Sequence, residues 1–120
     1  MSKTDKKEAG EVPAAQALAV AALVDYGPGA VVSRTLSKGS AGTLTVFAFD
    51  EGQGLSEHSA PFDAYVQVLE GSVLLTIGGQ KVAAKPGELV LMPANVPHGL
   101  HAGTKMKMLL TMLKHDAGKA

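Results

Sequence analysis

From Ala30 to Leu113 the chain is a succession of short apolar or alternating runs, each closed by glycine, proline or charged residues. Residues 30–36 are rich in β-branched side chains, and residues 43–49 alternate with the period of a half-buried strand. Residues 64–69 and 72–77 read as two strands hinged at Glu70-Gly71. Gly78-Gly79 then predicts a tight hairpin returning through residues 80–84. Residues 89–92, 98–102 and 105–113 complete the set, with turns at 38–42, 85–88 and 93–97 and a loop at 50–54. No long helical pattern alternates with these runs. This points to an all-β sandwich or barrel and away from a parallel α/β sheet.

Ahead of the strands, residues 14–24 are rich in Ala and Leu and predict a short N-terminal helix, ended by Gly27-Pro28-Gly29. Residues 1–12 are charged and poor in large apolar side chains, which predicts a flexible tail. The barrel domain is expected over 13–115, with a second tail at 116–120. A length of 120 residues suits one domain. With only 4% aromatics, aliphatic side chains and Met must fill its core.

Charge and composition remove several function classes. Eleven basic residues balance eleven acidic ones. The basic stripe of a nucleic-acid binder is therefore not expected, nor attraction to a membrane surface. The same balance gives little electrostatic resistance to self-association. Without cysteine, disulfides and thiolate metal sites are excluded. No run reaches the ~18 apolar residues of a membrane span. The stretch 12–24 does not read as a secretory signal, because Asp5, Glu8 and Glu11 offset Lys3, Lys6 and Lys7 and no small-residue cleavage site follows. A cytoplasmic protein is expected.

Two segments carry candidate chemistry. The first runs Gly52-Gln53-Gly54-Leu55-Ser56-Glu57-His58-Ser59-Ala60 and on to Glu70-Gly71. It resembles the first motif of the cupin superfamily: Gly, five residues, His-x-His, three or four residues, Glu, six residues, Gly. Gly52, His58 and Gly71 fall in place. Ala60 stands at the second His. The Glu position is Ala64 with the shorter spacing and Tyr65 with the longer. The second segment, Gly87 to His98, resembles the second motif: Gly, five residues, Pro-x-Gly, two residues, His, three residues, Asn. Gly87, Pro93 and His98 match. Asn95 replaces Gly, a mild change because Asn tolerates positive φ, and Ala102 replaces the final Asn.

The resemblance implies a double-stranded β-helix, or jelly-roll barrel, and a homodimer paired through the strand at residues 30–36. It also implies a metal pocket of three His and one Glu inside the barrel. Of those ligands only His58 and His98 remain. Gln67 is a helper if a bulge turns it inward, and Glu57 and Asp63 flank the site. His101 falls on the opposite face by parity. His115 lies in a polar tail. Strand alternation places Ala60, Ala64 and Val66 on the face of His58, and Leu100 on that of His98. Met92, Met108 and Met112 are further wall candidates.

The expected function is a barrel binding a small molecule and a divalent metal such as Zn, Ni, Mn or Fe. Three alternatives stay open. One is a metal-dependent oxygenase or isomerase with a reduced ligand set. Another is a structural or sensory barrel in which the histidines are merely hydrogen-bonded. In the last, the two imidazoles act as acid and base.

Overall fold

The computed structural model describes residues 12–115. Among them are nine strands: β1 (Val31–Gly39), β2 (Gly42–Phe49), β3 (Gly54–His58), β4 (Phe62–Glu70), β5 (Val73–Ile77), β6 (Gln80–Ala84), β7 (Leu89–Met92), β8 (His98–His101) and β9 (Met106–Lys114). They form a five-stranded sheet in the order β1-β2-β9-β4-β7 and a four-stranded sheet in the order β3-β8-β5-β6. Every pairing is antiparallel. Apart from the hairpins β1–β2 and β5–β6, successive strands cross between the sheets, which is the jelly-roll plan. No helix among the described residues is long and apolar enough to cross a membrane.

Alternation along the strands builds the core between the sheets. The large sheet sends in Phe49, Ala64, Val66, Val68 and Met108; the small sheet answers with Val73, Leu75, Ala84 and Leu100. β2 is buried on both faces. Phe47 and Phe49 stack inward with ring centroids 5.7 Å apart, while Val46 and Ala48 face a second cluster outside the barrel. That cluster is roofed by the N-terminal segment, through Val20, Leu23, Val24 and Tyr26.

This roof is not the helix expected over residues 14–24. Only Val20–Leu23 are helical, as a single 3-10 turn, and Ala15 has a φ of 61°, outside the helical region. A short isolated helix carries a high nucleation cost, and tertiary contacts override its propensity. Cations of the barrel tie this segment down through its carbonyls. Lys107 Nζ donates to Ala21 O at 2.7 Å, and Arg34 donates to Leu23 O at 3.3 Å. The buried Lys107 ammonium also lies 4.9 Å from the centre of the Tyr26 ring and 3.9 Å from Glu70. The tail expected over residues 1–12 lies, except for Val12, outside the described residues, as does the one over 116–120.

Two turns fix the ends that matter for the site. Ile77 pairs with Gln80 across Gly78 and Gly79, whose φ angles of 56° and 85° suit the two-residue hairpin their sequence demands. Between β7 and β8, Asn95 takes a φ of 66°, as the Gly it replaces in the motif would. Its N–H donates to Ala60 O at 2.8 Å, and Ala94 N–H donates to Asp63 Oδ1 at 2.9 Å. The loop before His98 is thereby locked to the crossing that follows His58.

Candidate ligand pocket at the paired histidines

His58 closes β3 and His98 opens β8, and the two are direct cross-strand partners. Leu55 pairs with Leu100 and His58 with His98, so β3 spends one more residue than β8 between these pairs. That bulge resets the alternation and lets both Leu55 and His58 face the interior. Gly99 permits the close approach, since a Cβ there would sit 3.0 Å from Leu55 O and 3.2 Å from Glu57 N.

The two imidazoles meet edge to face, with centroids 4.6 Å apart and planes at 72°. His58 Nδ1 lies 2.8 Å from Ser56 O, and His98 Nδ1 lies 3.2 Å from Val96 O. A carbonyl oxygen only accepts, so each Nδ1 carries the proton and donates it. In its neutral form each ring then keeps its lone pair on Nε2, the nitrogen farther from the backbone. His98 is buried, at 6% exposure, whereas His58 is exposed at the mouth. Burial holds the His98 pKa below its ordinary value, and the neighbouring His58 lowers it further.

Around the rings lies a cavity of about 50 Å³, lined among the described residues by the two histidines and otherwise only by apolar side chains and Gly99. At roughly 10–15 Å³ per water-sized group, it admits about three to five such groups. Ala60, Ala64, Met92, Leu100 and Met108 stand on its wall, and so does Met112. Val66 does not; it is fully buried in the core beneath. Leu55, Phe62 and Leu110 line the cavity as well. Leu55 escapes sequence reasoning because its strand has one apolar residue among five. The 50–54 loop and the residues after it gave no alternation to read.

The helper residues lie elsewhere. Gln67 is on the exposed face of β4, with no bulge to turn it between its partners Leu89 and Leu109. Glu57 is exposed and, with His101, borders a depression on the outer side of the small sheet. Asp63 is engaged by Ala94 N–H and lies 3.5 Å from His115, so the tail histidine sits beside a carboxylate. Among the described residues, no three His, Cys, Asp or Glu side chains come together as a metal site. The site of three His and one Glu therefore does not fit this pocket: alanines stand where two of its ligands belong. Alternation also decides between the two spacings. Ala64 faces the cavity, and Tyr65 lies on the other face of β4.

A family model for the cupin domain matches residues 45–113, more than half of the chain. The chain belongs to the cupin family. Among solved structures it is similar to a conserved protein of unknown function from Streptococcus pyogenes, at 33% identity and a TM-score of 0.84, over 90% of this chain and 95% of that one. A cupin superfamily protein from Desulfitobacterium hafniense matches at 24% identity and a TM-score of 0.82, over 90% of this chain and 99% of the other. A cupin 2 conserved barrel domain protein from Leptotrichia buccalis is 38% identical with a TM-score of 0.76, over 78% of this cupin and 46% of that chain. No curated protein matches in sequence.

Proposed function

We propose that this cupin is a binding barrel, and that its pocket takes a small, largely apolar group which delivers a proton or a positive charge to the Nε2 lone pairs of His58 and His98. The observation that carries this reading is the pair of Nδ1 contacts to Ser56 O and Val96 O. They fix the tautomer of both rings and leave two acceptors, and no side-chain donor, in an apolar wall. A carboxylate or phosphate would find no partner there. An alcohol or amide would find an acceptor for its proton and apolar contact for its carbon atoms.

Size bounds the affinity for organic ligands. A ceiling of about −1.5 kcal/mol per heavy atom limits a ligand of roughly three to five atoms to a Kd no tighter than a few micromolar. Amide-resolved NMR titration at neutral pH with isopropanol, acetamide and acetate tests the reading. Isopropanol and acetamide should shift His58, Gly99 and Leu100, and the shifts should vanish in His58→Ala/His98→Ala. Equal binding of acetate, or no binding of any of the three, sinks it.

We also propose that β1, an edge strand of the large sheet, pairs with its copy in a homodimer. Light scattering that returns the mass of one chain would refute this.

A further inference from the structure

Alanines replace the absent ligands, and methionines crowd around the gap. Ala64 pairs with Met92 on β7 and with Met112 on β9, so the position of the family's carboxylate is bracketed on both sides by thioethers. Directly paired residues have Cβ atoms about 4.5–5.5 Å apart, close enough for both side chains to share the space a Glu would fill. Both methionines stand on the same cavity wall as His58 and His98. Met92 is only 3% exposed.

The chemistry of this donor set is specific. Two imidazole nitrogens offering lone pairs and two thioether sulfurs bring no negative charge, and among the described residues no carboxylate lines the cavity. Thioethers are soft donors that select Cu(I), and imidazole also suits copper. An apolar wall without counter-charge penalises ions steeply. The desolvation penalty grows with the square of the charge, so a divalent ion suffers about four times that of a monovalent one of similar size. Softness and charge therefore favour the same ion.

We propose that the pocket is a Cu(I) site, with Nε2 of His58 and His98 and the sulfurs of Met92 and Met112 as ligands. This is not the carboxylate-bearing site that the family motif describes. It rests on the reading of the two Nε2 lone pairs as the pocket's binding groups.

The test is an anaerobic titration of the full chain with Cu(I), kept reduced by ascorbate and competed with bicinchoninate. Wild type should retain one equivalent, and about a hundredfold excess of Zn(II) should not displace it. Met92→Leu/Met112→Leu keeps side-chain volume. It should weaken Cu(I) binding by more than about tenfold, the loss that even changes outside the ligand shell produce. X-ray absorption should show a sulfur shell in wild type that this variant lacks. Copper-free wild type should bind isopropanol, and His58→Ala/His98→Ala should lose both ligands. Unchanged Cu(I) affinity in the methionine variant overturns thioether ligation. No retained copper alongside intact isopropanol binding overturns the copper site alone. Loss of both in wild type overturns the pocket reading as well.

Discussion

Restoring the family's ligand set tests whether the pocket is oriented as described. Ala60→His/Ala64→Glu would give three His and one Glu, all facing the cavity. Without metal the change is costly. Ala64 is 3% exposed and wedged between Met92 and Met112, so the longer side chain overpacks by about 1–3 kcal/mol. Its carboxyl, deprived of water, is pushed up and held protonated near neutral pH. At roughly 4–8 °C per kcal/mol for a domain near this size, the melting temperature should fall by about 4–24 °C. A metal ion binding only the folded chain returns about 4 kcal/mol at a thousandfold excess over its Kd. Adding Zn(II), Ni(II) or Mn(II) should then recover the loss. The control is Ala60→His/Tyr65→Glu. Tyr65 pairs with Leu91 and Thr111 and lies on the face opposite Ala64, so that variant gains a third His but no carboxylate in the cavity, and metal should raise its melting temperature by less than it raises that of Ala60→His/Ala64→Glu. Thermal melts of both variants and wild type, with and without metal, decide the matter. Equal rescue of the two variants, or rescue of the Tyr65 variant alone, would refute the assigned inner face of β4.

Three further outcomes follow from the same contacts. His98 has a folded pKa below 6.5, so the unfolded chain takes up its proton first as pH falls. Its contribution to stability is complete above about pH 6.5 and declines below it, toward the folded value. Urea midpoints of the metal-free protein should fall less steeply with acidification in His98→Gln than in wild type, and identical slopes would exclude this. A Cβ at Gly54 would lie 2.3 Å from Leu100 O. Gly54→Ala should therefore cost about 1–3 kcal/mol and abolish isopropanol shifts at His58, whereas unchanged shifts would show that β3 tolerates the clash. Lys107→Met removes a charged hydrogen bond to Ala21 O and a cation–π contact with Tyr26. It should destabilise by about 1–3 kcal/mol in denaturant melts; a more stable variant would mean that desolvating the ammonium outweighs its contacts.

Much of the barrel was legible because its signals are local. Gly78-Gly79 dictates its own turn, and the alternation of residues 43–49 sorts Val46 and Ala48 from Phe47 and Phe49 onto two faces. The two histidines could be named from motif spacing. That they are direct partners depends on a pairing between distant segments. β3 was hidden for a physical reason: it is an edge strand whose inner face needs one large apolar residue, Leu55. Parity from His58 puts Val66 on the inner face with Ala64, but not how deep along the barrel it lies, and the bulge between Leu55 and His58, which brings Leu55 to the wall, has no local signal. The N-terminal residues carry helix-forming side chains, but they pack on Val46 and Ala48 and are tied down by Arg34 and Lys107, and no local pattern announces those distant contacts.

The unequal anchoring of the two imidazoles has a dynamic consequence. β8, with His98, is paired on both sides, while β3, with His58, is held at the sheet edge by β8 alone. Strands of this kind open at a small fraction of the global unfolding free energy. Amide protons of β3 should therefore exchange with solvent long before those of β2 and β9, which sit inside the large sheet. One wall of the pocket can then breathe while the other stays fixed, so an occupant enters and leaves by loosening a single strand, with the barrel intact.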